Sequence, residues 1–174
     1  HISLSALAAR GEGVIALTGG PKGPLDRALA GGQIELAEER LKRLKALFGD
    51  RLYIELQRHD LSEEERIEPA LLDLAYRYDV PLVATNEPYF AKPQAYEAHD
   101  ALLAIAEGRL ISDGERRRVT PDHYFKTRAA MKKLFADLPE ALSNTIEIAL
   151  RCHYRPQMRK PILPSFADGQ EGEA

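Results

Sequence analysis

Carboxylates and imidazoles gather where two strand-like segments end. In "RLYIELQRHD" the residues Glu55, His59 and Asp60 lie at or near the close of an alternating run, and in "PLVATNEPYF" Glu87 closes an apolar one. His99 follows in "AYEAHDALLAIAEG". Acidic oxygens and imidazole nitrogens converging on one rim are what a divalent cation or a general acid–base pair requires. The same residue types also occur where strands simply run out into solvent. His99, near the start of a helical pattern, also suits a hydrogen-bonded structural histidine.

Two other features invite chemistry. Gly19 and Gly20 in "ALTGGPKGPLDRA" could present backbone amides to an anion. The spacing matches neither the phosphate loop nor the three-glycine dinucleotide fingerprint, so a proline-bent loop after a strand accounts for it. Positive charge is concentrated at Arg116, Arg117 and Arg118 and again at Arg151, Arg155, Arg159 and Lys160. Each group is either a solvated face or a patch for an acidic partner or the DNA backbone.

These residues need elements to position them. "GVIALTGG" predicts a strand near residues 13–18, covered on both faces because its apolar run is unbroken. Apolar residues recurring through "GQIELAEERLKRLKALFGD" predict a helix. A strand follows over residues 52–58, with Leu52, Ile54 and Leu56 alternating against Tyr53, Glu55 and Gln57. Ser62 and Glu65 have capping-box spacing for the next helix. A third strand is expected over residues 81–86, opened by Pro81. This alternation builds a parallel sheet or barrel, with the carboxyl ends of the strands on one rim. Beyond it lie helices in "AYEAHDALLAIAEG", "TRAAMKKLFAD" and "PEALSNTIEIALRC", and a polar, turn-rich stretch, "RLISDGERRRVTPDHYFK".

Composition narrows the function classes. The chain has 174 residues, 29% of them charged, and a net charge of -3, which marks no self-sufficient nucleic-acid binder. Its single cysteine, Cys152, excludes an internal disulfide and cysteine-pair zinc motifs. No apolar run is long enough to cross a membrane and no signal-peptide pattern opens the chain, so a cytoplasmic location is expected. A start at His1 rather than Met suggests a piece of a longer protein.

Three stretches, "YIELQRH", "PLVATNEPYFAKPQAYEAHDALLAIAEG" and "LFADLPEALSNTIEIALRC", together resemble the PHP (polymerase and histidinol phosphatase) domain of bacterial DNA polymerase III alpha subunits. With "VIALTGG" before them and "PILPSF" after, the likeness covers roughly residues 11 to 166. It implies an α/β fold: part of a distorted (β/α)7 barrel with parallel strands and outer helices, followed by a helical segment. Residues 1–112 would be the later part of the barrel, 113–166 a helical segment leading toward the polymerase palm, and 167–174 a flexible tail. The earliest strands of the domain, which carry its first metal-binding histidines, would be absent. The palm aspartates and their Mg would lie beyond this chain, which would hold no catalytic residue and no cofactor.

The resemblance also bears on the rim. Metal-binding relatives end the third strand in Thr, Asn, Asp, any residue, His, Tyr, with Asp and His as ligands. Here the corresponding residues are Thr85, Asn86, Glu87, Pro88, Tyr89 and Phe90. Glutamate places its carboxylate one C–C bond farther out, about 1.5 Å, whereas ligand distances hold within about 0.2 Å. A phenol with pKa near 10 replaces an imidazole poorly. Gly20 stands where such relatives have a cysteine. Gly20, Glu87 and Tyr89 are therefore expected to be vestigial positions binding no metal. The region would then serve as a scaffold and docking surface for other polymerase subunits, above all the proofreading exonuclease, and meet DNA through the parent polymerase, with Arg116–Arg118 as a candidate contact. The alternative is a metal-dependent phosphoesterase using Glu55, His59, Glu87 and His99.

Overall fold

A computed structural model describes residues 4–159. The strands β1 (Ala16–Leu17), β2 (Leu52–Leu56) and β3 (Leu82–Ala84) form one parallel sheet in the order β1-β2-β3. Ala16 pairs with Leu52, and Ile54 pairs with Leu82. Among the described residues seven α-helices accompany them: α1 (Leu4–Arg10), α2 (Pro24–Ala30), α3 (Ile34–Phe48), α4 (Ser62–Arg77), α5 (Tyr96–Glu107), α6 (Arg128–Leu134) and α7 (Pro139–Arg151). The expected parallel α/β organisation is thus present, with shorter strands. Three strands do not close a barrel, so the (β/α)7 form stays an expectation drawn from resemblance. The expected tail, residues 167–174, lies outside the described residues, as does "PILPSF".

Position in the sheet decides which strand faces are covered. β2 lies between two neighbours, and all five of its residues are buried, including Tyr53 and Glu55 from the face the alternation marked as polar. Arg151 donates to the Tyr53 hydroxyl at 2.9 Å, which satisfies that buried oxygen. Among the described residues β1 has one neighbour, and its own Leu17 and the preceding Val14 are exposed, so the double coverage expected for this run is not met.

Helix periodicity was a good guide where it ran long. In α3 the residues Ala37, Leu41 and Phe48 turn inward, and in α4 Ile67, Leu71, Leu74 and Ala75 do. The stretch expected to be a proline-bent loop instead contains α2. Pro24 occupies its first turn, where its missing N–H costs nothing, and Leu25, Ala28 and Leu29 bury the inner face. The Ser62–Glu65 capping box does not form. Leu61 precedes the first helical residue without a side-chain cap, and Glu64 reaches back to His59 instead.

One core joins the two parts of the chain. Phe135, Leu138 and Ala141, from the stretch expected to be a helical segment leading toward the palm, are buried with Leu25, Leu41, Leu52, Ile54 and Leu74. Burying a side chain such as Phe135 contributes about 1.5–3 kcal/mol. Arg58 ties the same stretch to β2 by hydrogen bonds to Glu68 and Asp137, with its guanidinium 4.6 Å from the centre of the Phe135 ring. Among the described residues no helix is long and apolar enough to cross a membrane.

Candidate functional site

The rim at the carboxyl ends of the three strands is a closed hydrogen-bond network. Glu55, on β2, is buried. Its Oε2 accepts from the Gly19 amide at 3.0 Å, and its Oε1 accepts from the Thr85 hydroxyl at 2.5 Å and from Gln57 Nε2 at 3.2 Å. The Glu55 amide in turn donates to Thr18 Oγ1 at 2.9 Å. All three strand ends are thereby clamped on one carboxylate.

His59 is fully buried. Glu64 Oε2 accepts from its backbone amide at 2.6 Å, and Glu64 Oε1 lies 2.9 Å from its ring Nδ1. An acid-only acceptor at Nδ1 places the ring hydrogen there, which leaves Nε2 to accept the Glu87 amide at 3.4 Å. The His123 ring stacks on His59 with centroids 4.0 Å apart and planes 13° from parallel. Both His59 ring nitrogens are thus engaged.

The polar stretch between α5 and α6 delivers His123. Residues Phe90 and Tyr124 form a parallel bridge, the Tyr89 amide donates to the His123 carbonyl at 2.9 Å, and the Phe125 amide donates to the Phe90 carbonyl at 2.8 Å. Thr120 Oγ1 donates to the His59 carbonyl at 2.6 Å. The stretch therefore lies across the rim as a cover. Burial first, and then the neighbouring His59, hold the His123 imidazole below its ordinary pKa, so it stays neutral.

At the mouth, Lys22 Nζ sits 3.2 Å from Glu87 Oε1 and 3.3 Å from the Tyr89 hydroxyl, while that hydroxyl donates to Glu87 Oε1 at 2.7 Å. Burial raises the Glu87 carboxyl, but the Tyr89 hydroxyl and Lys22 outweigh it and hold the group below its usual range. Lys22 moves up, through its hydrogen bonds to Glu87 and Tyr89. The pair is largely open to solvent, with the Lys22 side chain 76% exposed, so it contributes at most ~1 kcal/mol.

The residues present do not fit the metal site that the resemblance calls up. Gly20 has φ of +51°, and a Cβ built there would meet Gln57 Cδ at 2.9 Å and both Gln57 amide atoms at 3.0 Å. Gln57 therefore fills the space a cysteine would need. Glu87 and Tyr89 meet around the Lys22 ammonium. Among the described residues no group of three or more His, Cys, Asp or Glu is arranged to hold a metal ion.

The other expected residues are placed as follows. Asp60 is exposed, with φ of 58°. His99 packs its ring 5.7 Å from that of Tyr89 and 5.4 Å from that of Phe90, and its Nε2 is buried without a hydrogen-bond partner. Arg116 is turned inward, with a side chain 1% exposed, and grips Asp100 through both Nη atoms. Only Arg117 and Arg118 of that run remain exposed, and Arg118 donates to the Ile111 and Asp113 carbonyls. In the second basic group Arg151 is tied to Asp50 and Tyr53, Arg155 and Arg159 are exposed, and Lys160 lies outside the described residues. Sequence reasoning missed Lys22 and His123. His123 could have been noticed as a further imidazole in "TPDHYF", but nothing local signals Lys22.

Comparison with known proteins defines the class. The family model for the PHP domain matches residues 1–59. Over 163 residues, 94% of its length, the chain is 53% identical to the DNA polymerase III subunit alpha of Caulobacter vibrioides. It is 42% identical over 156 residues to that of Pseudomonas aeruginosa and 39% identical over 167 residues to that of Rickettsia bellii. It spans 13–14% of these relatives' length. The chain is a PHP-containing segment homologous to part of the DNA polymerase III alpha subunit.

Proposed function

We propose that this chain serves as a structural PHP region of a DNA-polymerising alpha subunit. Its rim is metal-free, and its outer surface docks other subunits, the proofreading exonuclease among them. Nucleotidyl transfer and its Mg belong to other parts of the parent protein, in which this segment steadies the fold. The observation that carries this reading is the internal satisfaction of the rim. Glu55 is filled by Gly19, Thr85 and Gln57, His59 by Glu64 and Glu87, and Glu87 by Lys22 and Tyr89. A phosphoesterase would need several of these groups free to take a cation and a phosphate.

The test is a titration of the parent alpha polypeptide with its proofreading exonuclease subunit. Saturable binding that weakens in an R117A/R118A variant, and weakens with salt in the wild type, is the expected result. Equal affinity in the variant moves the contact elsewhere on the surface. No binding by the wild type overturns the docking role.

A further inference from the structure

Asp26, in the first turn of α2, is 4% exposed, yet its Oδ1 has no hydrogen-bond partner. Gln57 Oε1, at the end of β2, is buried and unpartnered as well. Both residues line the same small cavity, together with Glu64 and Glu68. Two orphaned oxygens on residues of one small cavity, whose other walls include Pro21, Leu56, Ile67 and Leu71, need a hydrogen between them, because a buried acceptor without a donor costs about 1–3 kcal/mol.

The chamber's other groups cannot supply that hydrogen. Gln57 cannot exchange its amide nitrogen and oxygen, since Nε2 is committed to Glu55 Oε1 and Thr85 Oγ1, so Oε1 stays without a donor. Glu64 is occupied by His59, and Glu68 by Arg58. The cations on the packed elements point elsewhere. Arg40 of α3 donates to the Pro24 carbonyl, Arg66 of α4 to the Ala30 carbonyl, and Lys22 to Glu87 and Tyr89. The remaining charged groups toward Asp26 are Glu55, Glu63 and Glu64, all of its own sign.

We propose that Asp26 keeps a proton in the folded chain and donates it to Gln57 Oε1, directly or through one trapped water, forming a pH-released latch between α2 and the end of β2. Burial pushes the Asp26 carboxyl up to about 6, and Glu55, Glu64 and Glu63 add to this while its own backbone amide opposes. The sign follows. An acid whose folded pKa is raised holds its proton more tightly when folded, so the latch is intact at low pH and is lost as pH rises through about 6. On release, a carboxylate faces the Gln57 carbonyl and Glu64, and α2 loosens.

Hydrogen–deuterium exchange in the full alpha polypeptide tests this on peptides covering residues 20–31, corrected for intrinsic rate, from pH 5 to 7.5. Asp26→Asn carries a permanent donor, and comparing it with wild type at each pH cancels every other titrating group. The expected result is that α2 opening in wild type rises about tenfold relative to Asp26→Asn across that range, because the carboxyl titrates near 6 while buried and in its ordinary range once α2 opens. A constant ratio, or an Asp26→Asn variant less protected at pH 7.5, overturns the proposal. Gln57→Met removes the acceptor and provides a second check. It also removes the bonds to Glu55 and Thr85, so the readout is the difference between pH values: its α2 should lose more protection at pH 5 than at pH 7.5, and equal loss at both overturns the proposal.

Discussion

Gly20→Ala should be costly for two separable reasons. The residue sits at φ of +51°, where a side chain costs about 1–2 kcal/mol. The added Cβ would also lie 2.9 Å from Gln57 Cδ, so Gln57 must swing away. That movement breaks two hydrogen bonds of 3.2 Å, to Glu55 Oε1 and Thr85 Oγ1. At about 0.5–1.5 kcal/mol each, they bring the total to about 2–5 kcal/mol. In a Gln57→Ala background the collision is gone and only the backbone cost remains. A double-mutant cycle by urea unfolding, followed by circular dichroism, should therefore show a coupling of about 1–3 kcal/mol, the two hydrogen bonds at stake. An identical Gly20→Ala cost in both backgrounds would refute the claim that Gln57 fills the space beside Gly20.

Arg58→Met should destabilise the chain by about 2–3 kcal/mol, because it strands Glu68 and removes the tie to Asp137 and the Leu134 carbonyl. Chemical denaturation reads this, and a loss below about 0.5 kcal/mol, the range of a surface substitution, would contradict it. His123 is held neutral by burial and by His59, so its folded pKa lies below the ordinary 6.5 and the unfolded chain binds the extra proton. Stability should then fall as pH drops below about 6.5, and His123→Phe, which keeps the stack, should flatten that decline in melts between pH 7 and 5.5. A decline of the same steepness in the variant would assign it to other groups.

Long periodic segments were legible in the sequence. The apolar spacing that marks α3 and α4 survives in the fold because each buries a stripe several turns long, whereas α5 and α7 fully bury only Ala104 and Ala141 and leave Leu102, Ile105, Ile146 and Leu150 exposed. The short α2 was hidden because Gly23, Pro24 and Gly31 punctuate it, and its two turns offer only Leu25, Ala28 and Leu29 as a pattern. Glu55, His59, Glu87 and Tyr89 were legible as rim residues because strand ends share one edge of a parallel sheet. What they bond to was not. Lys22 meets Glu87 across 65 positions, and Thr120 meets His59 across 61, distances at which local pattern carries no information. Arg116 was misplaced for a related reason. A run of three arginines suggests solvent, and the Asp100 that draws the first of them inward lies a helix away.

The ammonium at the mouth of the rim has a consequence for how the chain is supplied with charge. A divalent ion must be collected from the cell's pool, competes with chelators, and can be replaced by a wrong metal. Lys22 arrives covalently, in one-to-one ratio with Glu87, at the moment of synthesis. The countercharge between the loop after β1 and the exit of β3 is therefore indifferent to zinc starvation, to chelating buffers and to mismetallation.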